Sequence, residues 1–202
     1  MQISETLQTE FWRKGIHFLS LSIAIIYANW FEKETALAFL IPMFFISLII
    51  DKLRFLEGPV KRWFDQWFGF MMRPHEVDET SRSLSGATYV LLAAVLTIWL
   101  FPKSIAVYAF VMLIIGDAFA ALVGKAFGRH KIFNMSKSWE GAAAFFITSL
   151  IAAIFITDLP WQVKLIGAYV ATVTEILPMN IDDNLTIPLF AASAMFIAGV
   201  YL

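Results

Sequence analysis

The 202-residue chain has no cysteine, so disulfides, thiolate metal sites and cysteine nucleophiles are all excluded. Charge is scarce as well. Asp, Glu, Lys and Arg supply 15% of the residues against 59% hydrophobic, and mean hydropathy is +0.73. A soluble domain of this size needs more polar surface than these residues can make, which points to an integral membrane protein. No soluble domain, low-complexity segment or internal repeat interrupts the pattern, so one membrane domain is expected over 1–202. A signal-peptide pattern is missing too. Glu5 and Glu10 lie in the first stretch, and no small-x-small cleavage site follows the first apolar run, which reads as a retained helix.

What the chain has is apolar runs. A spanning helix takes about 17 to 25 mostly apolar residues. Seven candidates meet or approach that length, at 15–31, 35–51, 84–101, 104–123, 141–157, 162–178 and 187–202. The expected fold is therefore all-α and polytopic, with about seven transmembrane helices. If the N-terminus is cytosolic, twelve of the fifteen Lys and Arg residues fall on the cytosolic side and only Lys33, Lys103 and Lys164 on the other. That is the bias of the positive-inside rule. It predicts a multi-pass protein, in a cell inner membrane, with its N-terminus and its polar chemistry facing the cytosol. Residues 58–72 add a further element. Gly58-Pro59 suits a helix start. Val60, Trp63, Phe64, Trp67, Phe68 and Met71 recur at helical spacing opposite Lys61, Arg62, Asp65 and Gln66, as in an amphipathic helix lying in the interface.

Polar residues inside apolar runs are costly and mark candidate sites. Asp117 follows Gly116 about two turns before the end of its run, on the order of 10 Å below the interface. Gly116, Ala120 and Gly124 make a small-residue face that lets another helix approach. Asp117 is either a working acid or one half of a structural pair, with Lys125 on nearly the same face. Gly124, Lys125, Gly128, Arg129, His130 and Lys131 then form a Gly-rich basic loop. It lacks the GxxxxGK[ST] spacing of a Walker A loop, and no strand precedes it, so a Rossmann site is also excluded. Ser136-Lys137-Ser138-Trp139-Glu140-Gly141 opens the next run. Either serine can cap the helix, Glu140 suits its first turn, and the same N-terminus beside Lys137 suits an anion.

Glu175 is a second acid in an apolar run, and Asp182, Asp183 and Asn184 follow between two such runs. Carboxylates and an amide are the hard oxygen ligands Mg²⁺ prefers, and Mg²⁺ bridges carboxylates to phosphates. The remaining polar cluster is Arg73-Pro74-His75-Glu76 with Arg82, Ser83, Ser85 and Gly86. His75, Glu76, Asp78 and Glu79 do not have the HExxH zinc spacing. His17, after Arg13-Lys14, fits a satisfied helix histidine or a phosphate contact.

Together these segments resemble the CTP-dependent lipid-alcohol kinases, the group of dolichol kinase, phytol kinase and the CTP-using diacylglycerol kinase. The resemblance rests on Gly116-Asp117-Ala118, on the run from Gly124 to Lys131, on Lys137-Ser138-Trp139-Glu140-Gly141 and on the run from Ile181 to Pro188. Arg73-Pro74-His75-Glu76, Ser85-Gly86-Ala87-Thr88-Tyr89 and Arg13-Lys14 with His17 are similar to bacterial members. The related phosphatidate cytidylyltransferase shares the Gly-basic loop and the Lys-x-Trp-Glu-Gly run. Its ending, a Lys-Asp and Gly-His-Gly-Gly signature, is replaced here by Glu175 and Asp182-Asp183-Asn184, which favours the kinase branch.

The resemblance implies phosphorylation of a membrane lipid alcohol (diacylglycerol, phytol or a polyprenol) with CTP as donor and Mg²⁺ as cofactor. It implies that Asp117, Asp182 and Asp183 hold the metal and that Lys125, Arg129, Lys131 and Lys137 bind phosphates. Glu140 would orient Lys137 or join the metal shell. Ser85, Gly86, Gly124, Gly128, Ser138 and Asn184 would line the nucleotide site, and Asp117 or Glu175 would take the alcohol's proton. The expected partners are CTP, a lipid alcohol and the bilayer, with no nucleic acid. A transporter using Asp117 and Glu175 as ion sites is the reading from another class. It would need polar groups on both faces, whereas here they gather on one.

Overall fold

The computed structural model describes Lys14, Gly15 and residues 17–56, 58–68, 84–132 and 136–201. The residues named above at Arg13, at 73–79, at Arg82 and at Ser83 lie outside these. Among the described residues the chain is helical, and its one extended contact is an isolated bridge between Lys131 and Ser138. The elements are α1 (Leu21–Asn29), α2 (Lys33–Arg54), α3 (Pro59–Phe68), α4 (Gly86–Leu100), α5 (Lys103–Val111), a π-helical turn (Met112–Gly116), α6 (Asp117–Phe127), α7 (Trp139–Ala153), α8 (Trp161–Ile176) and α9 (Asp183–Tyr201).

Each of the seven apolar runs contains a helix. By length and composition three are able to cross a membrane: Lys33–Arg54, the continuous Lys103–Phe127 and Asp183–Tyr201. The apolar helices at His17–Asn29, Gly86–Leu100 and Trp139–Ala153 are shorter. Lys103–Phe127 is the centre of the molecule, with 67% of its apolar window buried against 17% for Lys33–Arg54. Around it pack α7, α8, α9 and α4, and their contact is filled by Tyr108, Met112, Leu113, Ile114, Phe145 and Met195, all fully enclosed. The outside is apolar as well. Phe45, Ile46, Ile49, Phe155, Ile197 and Val200 are each more than half exposed. Large apolar side chains in the core and on the rim together suit a bundle associated with a membrane.

Local chemistry sets the helix ends. Pro59 occupies the first position of α3, and Pro102 and Pro160 immediately precede α5 and α8, positions where a missing N–H costs nothing. Ser85 caps α4 by accepting from the Thr88 amide at 3.4 Å, and Ser138 caps α7 by accepting from the Gly141 amide at 3.2 Å. Several helices run past the apolar segments because their last turns carry charge. α2 continues to Arg54, α6 to Phe127, and α9 begins at Asp183.

The turn Met112–Gly116 widens the central helix immediately before Asp117. Wide turns of this kind recur at functional sites. Gly116 is what lets α7 close on it, since a Cβ there would stand 2.8 Å from the ring of the enclosed Phe145. The two ends of the bundle differ. At one, the short α1–α2 and α4–α5 connections adjoin, with Lys103 4.0 Å from Glu32 and 5.3 Å from the Tyr27 ring. The Lys164 ammonium donates to the Ala153 carbonyl at 3.0 Å, closing the end of α7. The other end holds the polar groups singled out by sequence.

Candidate functional site

Two ion clusters form this end. In the first, the ammonium of Lys14 pairs with Oδ2 of Asp117, and Nε2 of His17 lies 3.7 Å from the same oxygen. Lys14 and His17 sit one helical turn apart at the start of the first apolar run, so they reach Asp117 from one face. Lys125, the partner suggested by helical spacing, is exposed in the last turn of α6.

In the second cluster, the ammonium of Lys137 donates to the Glu175 carbonyl. It also lies 3.5 Å from Oε1 of Glu175 and 3.0 Å from Oδ2 of Asp183. Lys137 thus closes the C-terminal end of α8, where the helix dipole favours a cation, and pairs with Asp183, an acid that the dipole of α9 favours in its first turn. Glu175 and Asp183 each lie within electrostatic reach of Asp117, so the two clusters stand near each other. Five distant stretches of chain meet here: the stretch of Lys14 and His17 ahead of α1, the start of α6, the loop before α7, the end of α8 and the start of α9.

The glycines and Ser138 of the basic loop have a packing role. A Cβ on Gly124 would stand 3.3 Å from Oγ of Ser138, and one on Gly141 2.9 Å from the Ala120 carbonyl. A Cβ on Gly128 would stand 2.9 Å from the Ser138 Cβ and closer still to the Gly124 carbonyl. Here α6 and α7 touch backbone to backbone, as the small-residue face predicts.

The contacts of Glu140 run to the basic loop rather than to Lys137. Its carboxylate accepts from the amides of Arg129 at 3.3 Å and His130 at 3.2 Å, and stands 2.6 Å from Nδ1 of His130. With the bonds Ile132 N to Lys137 O and Trp139 N to His130 O, both 3.0 Å, it folds the loop back on the start of α7. Lys125, Arg129 and Lys131 are left exposed around it, with the Lys131 ammonium donating to the Ser136 carbonyl at 3.2 Å.

Glu140 precedes the apolar run of α7. Its own amide, then the His130 side chain, then the loop amides hold its carboxyl down at about 2. A carboxyl depressed from 4.5 to about 2 contributes fully above pH 4.5, and its contribution is lost as pH falls through about 2. The Glu140 clamp is therefore intact at every pH at which such a protein works. Glu140→Ala should expose the Arg129 and His130 amides to hydrogen exchange and raise the KM of any phosphate ligand of the loop. Glu140→Gln should do so less. Unchanged exchange at both amides in Glu140→Ala would refute the clamp.

The other helix starts are closed by their own residues. Asp182 accepts the Asn184 amide on Oδ1 at 2.9 Å and the Leu185 amide on its carbonyl at 3.0 Å, so it caps α9. The Asn184 residue is buried behind it. Ser85 and Gly86 belong to a separate cluster that sequence reading missed. The amide and hydroxyl of Ser85 donate to Oδ2 of Asp51 at 2.8 and 2.9 Å, and the Thr88 hydroxyl donates to the same oxygen at 2.7 Å. Both donors of Ser85 are spent on a buried carboxylate at the α2–α4 contact, which gives no support to a nucleotide contact there.

Among the described residues, no three His, Cys, Asp or Glu side chains converge closely enough to hold a metal ion. Asp117 faces Lys14, Asp183 faces Lys137, and Asp182 faces its own helix. The three aspartates do not form a protein-only metal cage. A Mg²⁺ carried by a nucleotide needs only one or two carboxylates, and Asp117 and Asp183, within electrostatic reach of each other, fit that lesser demand.

Comparison with known proteins adds a family. A model of the cytidylyltransferase family matches residues 2–200. An uncharacterized protein of Rickettsia prowazekii is 29% identical over 185 residues, 88% of each chain. A probable chloroplastic phytol kinase of Triticum aestivum is 34% identical over 124 residues, covering 54% of this chain and 41% of its own. A phytol kinase of Synechocystis is 29% identical over 126 residues, 56% of this chain and 54% of its own. The chain spans about half the length, or less, of these phytol kinases. No solved structure matches.

Proposed function

Because the chain belongs to the cytidylyltransferase family and has phytol kinases among its relatives, we propose that it transfers the γ-phosphate of CTP to the hydroxyl of a membrane lipid alcohol. Diacylglycerol, phytol and a polyprenol are the acceptors the apolar bundle suits. The observation that carries the reading is the gathering of Lys14, Asp117, Lys137, Glu175 and Asp183 at one end of a lipid-facing bundle. A phosphate donor and the hydroxyl of a buried lipid can meet only at such a boundary. Phosphoryl transfer asks mainly for positioning and charge neutralisation, and these residues supply both. In this reading the bundle spans the membrane seven times, α3 lies in the interface, and the N-terminus and the site face the cytosol.

The roles follow from the contacts. Lys125, Arg129 and Lys131 collect the phosphates and the Glu140 clamp shapes their loop. Lys137 orders the ends of α8 and α9 around Glu175 and Asp183. Asp117 and Asp183, with Asp182 beside them, would hold the Mg²⁺ that accompanies CTP, which would neutralise charge on the phosphates. The alcohol oxygen attacks the γ-phosphorus, the bond to the β–γ bridging oxygen breaks, and CDP leaves. The alcohol proton passes to Glu175, the less tightly held of the two candidate acids.

The family description favours one rival, in which the cytidylyl group rather than the γ-phosphate moves to a lipid phosphate. Labelled CTP separates them. Purified protein with a panel of lipid alcohols and phosphatidate should move γ-label into lipid, with ATP inactive and EDTA suppressing transfer until Mg²⁺ is restored. Movement of α-label into lipid would overturn the kinase reading.

A further inference from the structure

The steps proposed above give Lys14 no task of its own, yet its side chain is the least exposed of the five charged groups gathered there. Its side chain is 5% exposed, whereas that of Asp117 is 15% exposed. A lysine near the end of a spanning helix ordinarily extends its ammonium to the interface. This one is turned inward, and its desolvation is offset only in a well-defined ion-pair geometry. The carboxylate it holds is fixed from the other side too. The π turn Met112–Gly116 sets the backbone of Asp117, and that turn is clamped by Phe145 against Gly116.

We propose that Lys14 is a positioning residue for Asp117, fixing where that carboxylate stands in the site, with His17 steadying the same oxygen from 3.7 Å. The start of the chain is then part of the active site rather than a membrane anchor alone. The inference rests on the kinase reading for what Asp117 does, and on geometry alone for the pair.

The test uses the full chain in detergent, with thermal midpoint and γ-label kinetics measured on Lys14→Met, Lys14→Arg, Asp117→Asn and the swap Lys14→Asp with Asp117→Lys. Lys14→Met should lower kcat per folded molecule roughly 100-fold, the loss expected from a misplacement of about 1 Å, with the KM for CTP changing less than about threefold. Lys14→Arg should recover part of that loss, since it restores the charge with a different shape. The swap should recover thermal midpoint without recovering turnover. Wild-type kcat in folded Lys14→Met, or turnover regained by the swap, would reduce the pair to a structural staple and overturn the proposal. If the unmodified protein moves no γ-label to any alcohol, the kinase reading fails by itself. The thermal midpoints then still judge the pair: coupled effects of Lys14→Met and Asp117→Asn uphold it, and additive effects refute it.

Discussion

Asp117→Asn should abolish lipid phosphorylation while the protein still accumulates, folded, in the membrane. The amide has the shape of the carboxylate, so the π turn before it and the Phe145 contact at Gly116 are undisturbed. Its oxygen still accepts from the Lys14 ammonium, so the buried lysine keeps a hydrogen bond although it loses its counter-charge. What disappears is the negative charge at the point where the two ion clusters meet. Removing one preorganised electrostatic group costs about 10²–10³ in kcat, and this group also organises its neighbours, so the loss should reach the upper end of that range. γ-Label transfer per folded molecule, with membrane abundance and thermal midpoint as controls, measures it. Full turnover by a folded Asp117→Asn protein would remove Asp117 from the mechanism and, with it, the reading of the whole end of the bundle.

Much of this was legible beforehand, for identifiable reasons. Apolar runs located a helix in every expected segment, because lipid-facing and core-facing residues are alike in a bundle of this kind and the run needs no periodicity to be seen. Helix ends were less legible. The apolar count stops at 51 in α2, while the helix continues to Arg54 because Asp51 and Arg54 satisfy each other's surroundings inside the protein. Asp117 and Glu175 stood out as acids inside apolar runs, and the structure brings them near each other. Lys14 stood out only within the Arg13-Lys14 and His17 resemblance, not as the partner of Asp117. It lies 103 residues from Asp117, in a stretch where cations are ordinary. Glu140 was visible as a first-turn acid, but its partners are backbone amides, which a sequence does not advertise. The π turn has no sequence signature at all. Asp51 met the same criterion as Asp117 and Glu175 but, as the last residue of its run, it read as a boundary.

Asp51→Ala should be strongly destabilising. One oxygen of this 1% exposed residue accepts three hydrogen bonds, from the Ser85 amide, the Ser85 hydroxyl and the Thr88 hydroxyl. The other faces the buried Arg54 guanidinium at 4.0 Å. The Ser47 hydroxyl, 2.5 Å from that of Thr88, extends the network along α2. The carboxylate also sits at the N-terminal end of α4, where the helix dipole favours an anion. Removing it takes this counter-charge from the buried Arg54 guanidinium and the acceptor from several buried donors together, a loss of about 3–5 kcal/mol. Against a total stability of about 5–15 kcal/mol, that is enough to lower the amount of folded protein in the membrane. Asp51→Asn keeps an acceptor for Ser85 and Thr88 and should lose less. The unfolding midpoint in detergent orders the variants, and Asp51→Ala within about 1 kcal/mol of the unmodified protein would contradict the network, since a lone buried hydrogen bond contributes that much. Ser85→Ala supplies the decisive comparison. If Ser85 serves Asp51, its removal costs stability in the native background, little in Asp51→Ala, and leaves the KM for CTP where it was. A rise in that KM with stability unchanged would instead return Ser85 to the nucleotide site.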